Sequence, residues 1–505
     1  MSTFQAAAAH PASSASPSCF SFFSAIREKT RRHSRRRSLA PISDSDEAAK
    51  ANGAKPEALS QPSPSPSLAV ATTTAPAQVN SAPETTTSQF VPSRGPAASR
   101  LETLPFEIQA LILAHAPTVE ALRALVCASP RLHRVYVEDR LAILRGVVER
   151  GALGGFVVDA RAACRSGTEA FQLGRTQASL WEFLEEYKQW LAGGGAGSEM
   201  GLEELMRMVR FQRGVVEPLA ERYAAWALAA LGSSPEEDPL SDTERRRIQR
   251  GFYRFQVFCN VCGFRGKGQS AEECIRGWES VDCLRVLSLF PAWQIEEILC
   301  VHAFVKDVYG GIFDRVAWDL DEERNPKYRD DPGWPNEFLE LFSSPECRIN
   351  TRSLDNMIRQ GLTVLSNVLK ITDHEELVQM VRCRIEGGTF GWADDDWITD
   401  IVGDLPQSRR FEQYYSERDA AQDRADKMPF DADAADMPPL AWVTYWRGEE
   451  SNLFGYYVPG IWRRWGYVMW DAARLRASGA MRFLEIESRL DYWEPREDIR
   501  EENWG

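Results

Sequence analysis

Between residues 104 and 147 the chain places apolar side chains at helical spacing three times in succession, each run bounded by residues that start or stop a helix. Pro105 suits the first position of a helix, where its missing N–H removes a donor that has no partner there anyway. Ile108, Leu111, Ile112 and His115 follow at i, i+3, i+4 and i+7, which predicts an apolar face with Glu107 and Gln109 toward water. Ala116-Pro117 ends that helix. Thr118 caps a second, with Glu120 in its first turn and Leu122, Leu125 and Val126 as its stripe. Ser129 caps a third and Pro130 opens it. Leu132, Val135, Tyr136, Ile143, Leu144 and Val147 then carry the stripe on toward Gly151.

Three helices in so short a stretch make a small unit, and small units bury only ~60% of the surface their unfolded chain exposes. They need a partner surface, in the rest of the chain or on another protein. Residues 104–136 resemble the F-box, whose pattern opens with Leu-Pro-x-Glu-Ile, continues with Ile-Leu, and then has a loop and a Leu-rich second helix. Leu104, Pro105, Glu107, Ile108, Ile112, Leu113, Leu122, Leu125 and Val126 match it. The third helix departs from it, with Leu132-His133 where the family carries a Trp. The resemblance spans less than a tenth of the chain. It implies that Leu104, Pro105, Ile108, Ile112, Leu113, Leu122, Leu125 and Val126 dock on the Skp-type adaptor of cullin-RING (SCF-type) ubiquitin ligases, while the remainder selects a protein substrate. Taken with RIQRGFYRFQVFCN and GYVMWDAARL, the segment also resembles a group of filamentous-fungal proteins of unknown function, a resemblance that supplies no activity.

The chain beyond residue 150 reads as further amphipathic helices with no convincing strand pairs. Residues 177–191 carry Leu180, Leu184, Tyr187 and Leu191 on one face, and the glycines and serine of 193–198 then break the helix. Capping boxes open helices at Ser241/Glu244, Ser270/Glu273 and Asp373/Glu376. The first of these helices is Phe-rich, and its Arg245, Arg246, Arg247 and Arg250 are expected to face out. Pro291 begins another, with Ile295, Ile298, Leu299, His302 and Val305 inward. No repeat of leucine-rich or WD type is visible. The expectation is an all-α protein: an F-box-like segment over 101–150 and a large irregular helical body over 151–505, preceded by a tail over 1–100.

That tail is rich in Ser, Pro and Ala, and it buries too little apolar area to offset chain entropy, so disorder is expected there. It is basic, with eleven Lys or Arg against six Asp or Glu, whereas the remaining residues carry 48 against 67. An acidic body disfavours a surface that tracks nucleic-acid phosphates. The cluster Arg31, Arg32, His33, Ser34, Arg35, Arg36, Arg37 and Ser38 reads as a localisation patch, as a pair of kinase sites, or as a solvated charge run. No run of ~20 apolar residues occurs, so no membrane span is expected. With no secretory signal, an intracellular protein, cytoplasmic or nuclear, is expected, its ten Cys mostly reduced.

Chemistry is sparse. The chain holds six His, and it has no phosphate-binding glycine loop, nucleophile elbow or HExxH helix. Cys259, Cys262, Cys274 and Cys283 lack the spacing of a zinc site, and the first two fall on the apolar face of the Phe-rich helix. Asp394, Asp395 and Asp396 read as a solvated loop or cap. Asp431, Asp433 and Asp436 read as an exposed loop. No catalytic residue, metal or cofactor is therefore predicted. Seven of the sixteen Trp lie in the last 65 residues: Trp442, Trp446, Trp462, Trp465, Trp470, Trp493 and Trp504. They either close over the core or form a groove in which Trp462, Arg463, Arg464, Trp465 and Tyr467 grip a partner peptide. The functional expectation is a substrate-receptor subunit acting by proximity. The alternative is a helical scaffold protein whose F-box-like hairpin is buried structure.

Overall fold

The computed structural model describes residues 100–193, 200–235, 238–263, 280–320, 351–386 and 415–487. They are predominantly helical, with no strand among the described residues and one isolated bridge, Lys427 to Glu449. Ser93–Gly505 forms one compact unit, and a second unit, Met1–Pro92, lies outside the described residues, as do Ser270, Glu273, Cys274, Asp394, Asp395, Asp396, Trp493 and Trp504.

The first four helices are α1 (Phe106–Ala114), α2 (Val119–Ala128), α3 (Pro130–Glu138) and α4 (Arg140–Val147). Their starts follow local chemistry. Thr118 accepts from the Ala121 N–H, and Ser129 accepts from the N–H groups of Arg131 and Leu132, as expected. Pro105 stands one position earlier than expected, as the extended residue before α1. The third expected helix is two, because Asp139 leaves helical geometry between α3 and α4. A π turn, Val148–Ala152, then leads toward α5 (Val157–Ser166).

The next helices are α6 (Glu169–Gly174), α7 (Gln177–Leu191) and α8 (Leu202–Phe211), followed by a second π turn, Gln212–Val216. Then come α9 (Glu217–Ala230), α10 (Asp242–Cys262), α11 (Ser280–Ser288) and α12 (Ala292–Leu320). Beyond them lie α13 (Thr351–Arg359), α14 (Leu362–Val368), α15 (His374–Glu386), α16 (Glu417–Asp423) and α17 (Leu440–Tyr445). The last three are α18 (Gly460–Arg464), α19 (Ala472–Ala477) and α20 (Ala480–Glu487).

Helix α10 is the axis of the body, packed against α5, α11 and α12. Ser241 and Glu244 form the expected capping box at its start, and Phe252, Phe255, Phe258, Cys259 and Cys262 are buried as expected. Arg245 and Arg246 face out as expected, but two arginines correct the sequence reading: Arg247 and Arg250 are buried, as is Arg254. Beyond Arg246 the helix is enclosed on nearly every side, so charged side chains along that stretch must find carboxylates inside. Leu180, Leu184 and Tyr187 on α7 are buried as expected, as are Ile295, Ile298, Leu299, His302 and Val305 on α12.

One hydrophobic core runs from Ala110 in α1 to Leu484 in α20. The 101–150 segment is part of it, with α4 packed on α8.

Candidate interaction surface and the buried charge framework

Helix α1 carries apolar residues on every side, with Glu107 and Gln109 its polar ones, so helical spacing alone does not say which side faces inward. The structure turns Gln109, Ala110 and Leu113 into the core, and Leu113 is 0% exposed. Gly146 on α4 permits this, because a Cβ there would lie 2.9 Å from the Ala114 carbonyl oxygen and 3.0 Å from its Cβ. The outer face keeps Ile108 at 42% and Leu111 at 54% exposure, with Phe106 also exposed and Leu104 and Ile112 half-buried. Glu107 and Gln109 were both expected in water; Glu107 is exposed, but Gln109 is buried, and the apolar face that carries Ile108 and Leu111 is the outer one.

The eight residues that the resemblance picked out therefore divide. Pro105 and Ile108 are exposed, Leu104, Ile112 and Leu125 are half-buried, and Leu113, Leu122 and Val126 belong to the core. In this conformation the last three hold α1 and α2 to the body and are not open to a partner.

Among the described residues, the side chains named for an aromatic groove, one of the two readings of this region, do not line an open surface together. Trp462 and Tyr467 are buried, their ring centroids 5.8 Å apart edge to face, and Tyr445 packs on Trp462 at 5.1 Å. Trp465 is half-buried, and its carbonyl accepts from the Trp470 indole N–H at 2.5 Å. Arg463 points inward and clamps Glu296 with both Nε and Nη2, each at 2.9 Å. Arg464 is exposed, lying 4.1 Å over the Trp226 ring. The aromatics close the core, as one of the two sequence readings had it, and the arginine between them neutralises a buried carboxylate.

Among the described residues, two further bidentate pairs join distant parts of the chain in the same way. Arg250 holds Glu297 through Nε at 3.0 Å and Nη2 at 2.6 Å. Arg474 on α19 holds Glu244 through Nε and Nη2, both at 2.8 Å. Glu296 and Glu297 are neighbours on α12 yet serve different helices, one gripping α18 and the other α10. Arg247 pairs with Asp471 at 3.0 Å, and Arg254 pairs with Asp159 at 2.8 Å. Asp159 also accepts the Tyr187 hydroxyl at 2.5 Å, and the Arg254 guanidinium sits 4.2 Å over Phe290. The loop of Asp431, Asp433 and Asp436 is tied to this framework: Arg250 donates to the Ala435 carbonyl and to Asp436 at 2.6 and 2.7 Å.

Electrostatics follow the burial. Desolvation opposes the Arg463 charge, but Glu296 outweighs it and raises the Arg463 pKa above its ordinary value. Burial and the adjacent Asp159 push Tyr187 well up, so its hydroxyl stays a donor. Burial would raise Glu244, but Arg474 and the N–H groups of Asp471 and Ser241 bring it below the ordinary carboxylate value. A carboxylate lowered in the folded state stabilises fully above its unfolded pKa, about 4.3 for Glu, and that share is lost as pH falls through the folded pKa. Glu244→Gln is therefore expected to flatten the loss of stability below about pH 4.3 relative to wild type, read by denaturant titration at stepped pH. Asp471, raised mainly by burial, works in the opposite direction.

Cys259 and Cys262 are buried on α10, where desolvation raises both thiols. Among the described residues no group of three or more His, Cys, Asp or Glu is placed to hold a metal ion, and no helix is long and apolar enough to cross a membrane. Gly466 is needed where it stands. Its φ is +66°, and a Cβ there would lie 2.5 Å from the Tyr223 hydroxyl oxygen. Gly466→Ala is expected to destabilise the protein by about 1–3 kcal/mol, measured as a drop in Tm.

No family model, curated protein or solved structure matches this chain.

Proposed function

We propose that the outer face of α1 recruits a Skp-type adaptor, and that the helical body holds a protein substrate, so that the chain acts by proximity as the receptor subunit of a cullin-RING ubiquitin ligase. One observation carries the reading: a largely apolar helix leaves Ile108 and Leu111 in water while Gln109, Ala110 and Leu113 on its other face are packed. Contiguous exposed apolar surface of this kind marks interaction sites. The resemblance of residues 104–136 to the F-box names the partner class.

A second reading, a helical scaffold in which the segment is structural, draws on the burial of Leu113, Leu122 and Val126 in the common core. Capture of the purified chain on immobilised Skp-type adaptor separates the two. Saturable binding supports the receptor, and no binding by a folded protein at tens of micromolar overturns it.

A further inference from the structure

The segment that leads into α1 is tied down by polar bonds at unusual density. Gln109 is fully buried, and both ends of its amide are used: Nε2 donates to the Leu101 carbonyl at 2.9 Å, and Oε1 accepts from Arg131 Nε at 3.3 Å. The same guanidinium donates through Nη2 to the Leu104 carbonyl at 3.1 Å. Ser129, which caps α3, donates to Glu102 at 2.6 Å. One arginine at the start of α3 therefore spans both the 101–104 strap and α1.

An apolar residue at 109 would bury more hydrophobic surface against Leu113 and its neighbours, so the amide is not there for packing. A buried polar side chain with every partner in place fixes one arrangement at the expense of looser ones. We infer that Gln109 and Arg131 form a latch that holds the 101–104 strap closed, and thereby keeps Leu104 aligned with Ile108 and Leu111 on the outer face of α1. The inference rests on the proposed docking role of that face for its functional consequence, but the latch itself is read in the free protein. Gln109 is a positioning residue, since it is 0% exposed and cannot touch a partner.

The test is Gln109→Leu in the full chain, with Arg131→Ala as a companion at an exposed position. Leucine matches glutamine in size and removes the latch without opening a cavity, so Tm is expected to hold or rise. Tryptic cleavage after Arg100 tracks the population of the open strap and is expected to rise about tenfold. Affinity for purified Skp-type adaptor is expected to fall about threefold or more, because only the closed fraction binds. A simple packing role would instead lower Tm and leave cleavage after Arg100 unchanged, and that result overturns the latch. Faster cleavage with wild-type affinity overturns its link to the docking face. Failure of the wild-type chain to bind adaptor would remove the docking role, while the cleavage measurement still decides whether the latch exists.

Discussion

Ile108→Asp combined with Leu111→Asp is expected to abolish capture by a Skp-type adaptor while leaving the protein folded. Both side chains stand on the exposed face of α1, so the new carboxylates remain hydrated in the free protein, and surface changes of this kind usually move stability within about 0.5 kcal/mol. On docking, the same carboxylates would be buried without partners. Loss of binding well over a hundredfold follows from a penalty of about 3 kcal/mol or more. The paired control is Leu113→Asp, which places a charge in the core and is expected to unfold the segment. Circular dichroism and thermal melts beside the capture assay separate the two outcomes. Wild-type capture by the folded double variant would show that the outer face of α1 is not the docking surface.

Glu297→Ala is expected to have the largest effect on stability of any single change to the charge framework. Glu297 is 0% exposed and engages Arg250 with both oxygens, so its removal leaves a buried guanidinium that keeps only Asp436 and the Ala435 carbonyl. Breaking one partner of such a pair costs about 3–5 kcal/mol. Denaturant unfolding should show the loss as a lower midpoint at an unchanged slope. A loss below about 1 kcal/mol would mean that Arg250 is neutralised in another way. Asp436 is the exposed end of the cluster, and Asp436→Ala is expected to cost far less, because water can replace its carboxylate.

What the sequence made legible was local. Thr118, Ser129, the Ser241/Glu244 box and Asp373 mark helix starts because a side-chain oxygen and a nearby N–H lie within three residues of each other. The inward residues of α7, α10 and α12 were legible because their apolar stripes are long and unambiguous. The inward side of α1 was not, since apolar residues surround it and the choice depends on Gly146 thirty-odd positions away. The burial of Arg250, Arg254 and Arg463 was hidden for the same reason. Each arginine reads as solvated until Glu297, Asp159 or Glu296 is brought beside it by packing. Of the candidate docking residues on this helix, Pro105 and Ile108 are exposed and Leu104 and Ile112 half-buried, while Leu113 turns into the core. Nothing local distinguished Gln109 from a surface glutamine.

The passage from α4 through the Val148–Ala152 turn toward α5 has a mechanical meaning. It is wound almost continuously, Leu153 and Phe156 are buried, and α4 rests on α8. Among the described residues, packed helix and not an extended linker connects α1 to the main body. A partner seated on that face would meet the described body through packed helices, so its placement would follow from the shape of that body and not from the length of a tether.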